Sequence, residues 1–170
     1  SKSTPTGAVA QFAAGGKEIK HKDLAAIAMS YGYVYVAQIA MGANMAQTVK
    51  AIAEAEAYPG PSLIIGYAPC INHGIKVGMS KVMDEEKKAV TTGYWNLFRF
   101  NPAADAAQKF TLDSKAATEN YADFLAGETR YLSLQKQNPD KAKRLFEKAA
   151  ENSKEHFEYL EGLVDLYDKK

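Results

Sequence analysis

Two short apolar segments flank one amphipathic stretch, and together they fix the direction of the backbone. Tyr33-Val-Tyr-Val-Ala-Gln-Ile39 is β-branched and aromatic, the composition of a strand. Met41-Gly-Ala43 breaks it. Asn44 is placed to cap a helix, with Gln47 three residues on as a capping-box partner. Met45, Val49, Ile52 and Ala53 recur at helical spacing and predict its buried stripe. The helix ends near Tyr58, before the turn residues Pro59-Gly60-Pro61. A second apolar run, Leu63 to Tyr67, reads as a buried strand. It stops at Ala68-Pro69, because proline has no N–H for the ladder and restricts the residue before it. Strand, helix, strand at this spacing is a βαβ unit with parallel strands and a right-handed crossover. Both carboxyl ends then lie on one sheet edge. The 41–44 turn and the 68–74 loop should be neighbours there, where open α/β sheets bind ligands.

The rest of the chain is placed around this unit. Asp23 starts a short helix with Leu24, Ile27 and Ala28 on one face and Gly32 past its end. A charged helix is expected over Gly78 to Thr92, stopped by Gly93. A third strand is expected over Tyr94–Phe100, and Phe110–Asp113 as a brief extended piece. Glu119–Gln137 reads as helical, with Tyr121, Phe124, Leu125 and Leu132 on one side. Asn138-Pro139 separates it from a long final helix carrying Leu145, Phe146, Ala149, Phe157, Leu160, Leu163, Val164 and Tyr167. The fold class is α/β, a partial parallel sheet with a C-terminal helical hairpin. At 170 residues, 46% hydrophobic and 24% charged, the chain can bury one ordinary core. A net charge of +1 supplies no field for nucleic acid, and no apolar run is long enough to cross a membrane. The N-terminus carries no secretory h-region.

Cys70 is the single cysteine, and it follows the second strand directly. One cysteine excludes an internal disulfide framework and accords with a reducing compartment. Three readings of it stand side by side. It is a small buried hydrophobe at a strand end, a nucleophilic thiol paired with His73, or a metal or cluster ligand. One thiolate does not hold a cluster, which takes four, so as a ligand it needs three more from elsewhere. His21 and His156 sit among charges and read as solvated. No zinc-type spacing, GxGxxG or Walker A sequence is present. The Ser3–Thr6 hydroxyls read as a polar end loop or an anion site. The charged run Lys81–Lys88 reads as the wet face of a helix. Tyr33, Tyr35, Tyr94 and Trp95 read as core or interface aromatics.

Taken together, several stretches carry a specific resemblance: Tyr31-Gly-Tyr-Val-Tyr-Val-Ala-Gln-Ile-Ala-Met-Gly-Ala43, Glu54-Ala-Glu56, Pro59-Gly-Pro-Ser-Leu-Ile-Ile65, Tyr67-Ala-Pro-Cys-Ile-Asn-His-Gly74 and Gly93-Tyr-Trp95. Ser1-Lys-Ser-Thr-Pro-Thr-Gly7 and Leu112-Asp-Ser-Lys115 fit it as well. The chain resembles the C-terminal end of pyruvate:ferredoxin (flavodoxin) oxidoreductases. These enzymes oxidatively decarboxylate pyruvate with coenzyme A, using thiamine diphosphate and iron–sulfur clusters. The resemblance implies residues 1–115 as the C-terminal half of a thiamine-diphosphate-binding α/β domain and 116–170 as a helical extension. It implies Cys70 as the fourth ligand of the [4Fe–4S] cluster nearest the thiamine, the other three lying outside this chain. The magnesium and diphosphate loops of the family precede Ser1. The chain alone is then expected to be inactive and to bind neither thiamine diphosphate nor an intact cluster. Its implied partners are the upstream remainder of the enzyme and ferredoxin or flavodoxin, within a cytoplasmic homodimer of the complete enzyme. The contrasting reading is a non-catalytic interaction module docking through its helical hairpin.

Overall fold

A computed structural model describes residues 3–168. What was expected of Ser1 and Lys2 lies outside the described residues. The elements run α1 (Leu24–Met29), β1 (Tyr35–Ile39), α2 (Met45–Ala57), β2 (Ser62–Gly66), α3 (Val82–Thr91), β3 (Phe98–Phe100), α4 (Ala106–Lys109), β4 (Phe110–Leu112), α5 (Tyr121–Leu125), α6 (Thr129–Gln137) and α7 (Pro139–Asp168). A 3₁₀ turn, Met79–Lys81, leads into α3.

The chain is α/β, and the βαβ unit is present: β1 and β2 pair in parallel, Tyr35 opposite Ser62 through Ile39 opposite Gly66. The sheet as a whole is mixed, in the order β2-β1-β3-β4. β3 runs antiparallel to β1, and β4 antiparallel to β3. The third strand is shorter than expected because Tyr94, Trp95 and Asn96 turn away to the sheet's end instead of joining the ladder.

Side chains alternate across β1 and divide the core in two. Tyr35, Ala37 and Ile39 face α2, with Ala51, Ala55, Tyr58 and Ile64. Val36 faces the other way, with Ala25 and Ala28 of α1, Phe98, Phe100, Phe110 and Leu160 of α7. A third, aromatic cluster gathers Tyr67, Tyr94, Trp95, Tyr121, Phe124 and Tyr131 around Ala89 and Leu125. α7 links these layers. Its first half packs on α6 through Ala142 and Leu145. Its second half lies over β4 and brings Leu160, Leu163, Val164 and Tyr167 to the sheet. The hairpin arm is therefore also a roof over the strands.

Several sequence expectations are corrected. Asn44 caps α2, its Oδ1 accepting from Gln47 N at 2.9 Å. The Gln47 side chain, however, turns inward and donates to Gln38 O and Asp113. The buried face of α2 is Gln47, Thr48 and Ala51. Met45, Val49 and Ile52 are 50%, 60% and 49% exposed, and Ala53 is exposed too. Ala51 packs on the sheet, and Gln47 is kept on the same face by its hydrogen bonds to Gln38 O and Asp113. The 119–137 stretch is two helices, broken at 126–128. Glu85 and Glu86, expected on a wet face, are buried. Tyr33 is exposed, whereas Tyr35 is fully buried.

Candidate functional site

The carboxyl ends of β1 and β2 open onto a cleft of about 800 Å³. Gln38 and Gly66 form its floor, Tyr94, Trp95 and Asn96 one wall, and Asn152 and His156 of α7 another. Cys70 and His73 line it from the loop after β2. The 41–44 turn does not. It folds against α3, where Gly42 N donates to Glu86 Oε2 at 2.7 Å and a Cβ at Gly42 would collide with the Met83 backbone. At the ends of the two strands, Tyr67 N donates to Ile39 O at 3.0 Å.

Cys70 is exposed, which removes the reading of it as a buried hydrophobe. Its carbonyl accepts from His73 N at 3.1 Å and Gly74 N at 2.8 Å, so the loop closes in a tight turn. Gly74 takes a φ of 71°, a value that disfavours any residue with a Cβ. No hydrogen bond joins the thiol to the His73 ring, although both line the cleft.

The loop is anchored at both ends to the break between α5 and α6. Tyr67 OH donates to Glu128 Oε1 at 2.8 Å. Beyond the thiol, Lys76 N donates to Gly127 O at 2.7 Å and Thr129 N to Gly74 O at 3.3 Å. Glu128 is buried and ion-paired with Arg130, Nε to Oε2, at 3.2 Å. Arg130 also donates to Tyr94 OH at 2.9 Å, and Tyr94 and Tyr131 share a hydrogen bond at 3.0 Å. Burial, then the Glu128 carboxylate, push the Tyr67 phenol far up, so it serves as a donor and not as an acid. Burial likewise raises Tyr94 and Tyr131. This phenol–carboxylate–guanidinium chain was not legible in the sequence, since its members are separated by up to 64 positions and share no motif.

The other sequence-stretch expectations resolve around the same cleft. Thr6 is buried, and its hydroxyl donates to Ile19 O at 3.1 Å. His156 is half-buried and lies 3.7 Å from Asp23, so it is not the solvated residue expected. Burial lowers its pKa below the ordinary imidazole value of 6.5, with Asp23 acting in the opposite sense.

The donor set bears on which inorganic group the site would take. Among the described residues, no group of three His, Cys, Asp or Glu side chains is placed to hold a metal ion. Cys70 supplies one exposed thiol on a turn. That fits one corner of a cluster whose remaining thiolates come from another segment. No helix among the described residues is long and apolar enough to cross a membrane.

No family model matches the chain. Comparison with curated proteins is informative. The chain is 56% identical over 167 residues to the pyruvate:ferredoxin oxidoreductase of Moorella thermoacetica, covering 97% of the chain and 14% of that protein. It is 55% identical over 159 residues to the pyruvate-flavodoxin oxidoreductase of Klebsiella pneumoniae, covering 92% of the chain and 14% of that protein. It is 50% identical over 154 residues to the mitochondrial pyruvate dehydrogenase [NADP(+)] of Euglena gracilis, covering 89% of the chain and 8% of that protein. The chain thus spans a small part of the length of the relatives it matches. By sequence it is related along nearly its whole length to pyruvate:ferredoxin and pyruvate-flavodoxin oxidoreductases, as the counterpart of one segment of such a polypeptide.

Proposed function

We propose that the chain is the C-terminal part of a pyruvate (2-oxoacid):ferredoxin or flavodoxin oxidoreductase, and that Cys70 is its contribution to electron transfer. In this reading residues 1–115 belong to the thiamine-diphosphate-binding domain and 116–170 extend it. Thiamine diphosphate and magnesium are held by residues outside the chain. The observation that carries the reading is the exposed thiol at the carboxyl end of a parallel strand, within a chain so close in sequence to these enzymes.

A [4Fe–4S] cluster, when bound, accepts and passes single electrons. Cys70 would hold one iron of it as a thiolate, losing its proton on ligation. The turn closed by His73 N and Gly74 N fixes the backbone carrying the sulfur. The Tyr67–Glu128–Arg130 chain holds the base of the loop, in the manner of outer groups that orient a ligand. Trp95 Nε1 donates to Ile39 O at 3.0 Å and keeps the indole against the strand ends, as one wall of the cleft. Alone, the chain is inactive and binds neither thiamine diphosphate nor a complete cluster.

The test is co-expression with the upstream remainder of the enzyme, native Cys70 against Cys70→Ser. Iron and sulfide are counted, and the reduced protein is examined by electron paramagnetic resonance. The serine variant is expected to lose one cluster's iron and its signal. Full occupancy with unchanged electron transfer would overturn the ligand role.

A further inference from the structure

Trp95 is the single tryptophan of the chain, and it stands half-buried in the wall of the cleft. Among the described residues it has one ring contact, with Tyr67, the centroids 5.8 Å apart and the planes inclined at 40°. Tyr67 is also half-buried and lines the same cleft. The indole Nε1–H is held by Ile39 O at 3.0 Å. A peptide carbonyl accepts that hydrogen bond but is too weak a base to take the proton. An indole that loses an electron here therefore keeps its proton, and it needs only an electron to be restored.

Tyr67 differs from the phenols around it in what receives its proton. Its OH donates to Glu128 Oε1 at 2.8 Å, and Glu128 is buried with its other oxygen on Arg130. The Tyr94 ring is as near to Tyr67 as the indole is, at 5.8 Å, but it has no such acceptor. Arg130 donates to the Tyr94 oxygen, and Tyr131 is its other partner. A neutral phenol gives up an electron readily only when a base takes the proton in the same step, because the oxidised phenol is a very strong acid. Burial and the Glu128 carboxylate keep the Tyr67 phenol un-ionised, so this coupled route is the one open to it. Tyr35 also donates to a carboxylate, Glu54, at 3.0 Å, but its ring meets Tyr58 in the layer under α2 and not the indole.

We propose that Trp95 and Tyr67 form a one-electron relay that clears radical oxidants from the cleft, with Glu128 as its proton acceptor. An oxidant of the class formed by partial reduction of dioxygen takes one electron from the indole and leaves in its reduced form. The indole radical cation then takes an electron from Tyr67, while the phenol proton crosses to Glu128 Oε1. The products are a restored Trp95, a phenoxyl radical at Tyr67 and a protonated Glu128 beside Arg130. A soluble reductant of the ascorbate or thiol class returns the electron, and Glu128 returns the proton. The relay needs no cluster at Cys70 and is independent of the ligand assignment. Its placement matters because the cleft that admits the oxidant also presents the exposed Cys70 thiol, whose deeper oxidation is irreversible.

Pulse radiolysis of the 170-residue chain near neutral pH tests it. The azidyl radical serves as the oxidant. It attacks tryptophan in preference to neutral tyrosine, and with one tryptophan present the starting point is Trp95. The absorption of the indole radical is expected to convert to that of a phenoxyl radical at a rate independent of protein concentration. The conversion should be slower in heavy water, because a proton moves with the electron. Tyr67→Phe should abolish this phase, and Glu128→Gln, which keeps the shape and removes the base, should slow it about tenfold. Tyr35→Phe should leave it unchanged. An unchanged rate in Tyr67→Phe or Glu128→Gln, a rate that rises with protein concentration, or the absence of a deuterium effect would each overturn the relay. Where Tyr67→Phe does not fold, fluorotyrosine in place of Tyr67 keeps the hydroxyl and marks the radical by its fluorine splitting in electron paramagnetic resonance. A radical without that splitting would overturn the assignment to Tyr67.

Discussion

Arg99 binds two carboxylates at once. Its Nε and one terminal nitrogen grip Asp113 at 2.9 and 2.8 Å, and the other terminal nitrogen meets Glu54 Oε1 at 2.6 Å. Tyr35 OH completes the group on Glu54 at 3.0 Å. A planar fork fits this task and an ammonium does not. Arg99→Ala leaves Asp113 without its counter-charge and Glu54 with Lys50 alone at 4.0 Å, and a loss of about 3 kcal/mol in urea unfolding is expected. Glu85 behaves differently. Burial, then the nearby Glu128, raise its carboxyl above the ordinary 4.5. Its Oε1 has no hydrogen-bond partner. As pH rises past 4.5 the unfolded chain ionises Glu85 before the folded one does, so this residue's contribution to stability falls with pH until the folded group ionises too. Glu85→Gln is expected to flatten the unfolding free energy between pH 5 and 8 relative to wild type; a steeper profile would contradict the assignment. Neither residue's role was visible in sequence. Glu85 stands within a charged run that reads as solvated, and Arg99 stands between two phenylalanines without a partner nearby.

At the scale of elements, α2 separates capping from face. The Asn44 cap was legible because a short polar side chain before a helical run has one obvious use. Asn44→Ala is expected to cost about 1 kcal/mol. The buried face was not legible, since periodicity weighs large apolar side chains and α2 packs with Gln47, Thr48 and Ala51. Val49→Lys should therefore shift the stability of this chain by no more than about 0.5 kcal/mol, measured by thermal unfolding. A drop of several kcal/mol would show that the stripe is packed after all. β1, α2 and β2 were readable as one unit because chain connectivity alone makes them parallel. The strand at Phe98–Phe100 was expected within Tyr94–Phe100, but its direction was not readable, because the 31 residues between Gly66 and Phe98 carry no information on it. The α5–α6 break was announced by Gly127 but masked by apolar spacing that continues across it.

At the scale of the molecule, α7 is the member that no other element replaces. Thirty residues at 1.5 Å each give it about 45 Å. It ties the N-terminal segment as well as the sheet: Lys141 and Arg144 pair with Glu18, and Lys20 pairs with Glu155. Leu160 is fully buried against Phe98, Phe100 and Phe110. Leu160→Ala is expected to cost about 3 kcal/mol. If α7 unites the layers as described, circular dichroism and tryptophan fluorescence will report one shared transition in that variant; two separate transitions would contradict it.

The sling that suspends Cys70 is knotted more than fifty positions downstream, at 127–129. A Cβ added at Gly127 would come within 2.8 Å of the Glu85 carboxylate and 3.2 Å of Phe124 O. Crowding there would slacken the knot and let the sulfur drift while leaving β2 intact. Where the thiol sits is thus governed from the α5–α6 break, and a mutation at 127–129 can register as a displaced Cys70 at the sheet edge.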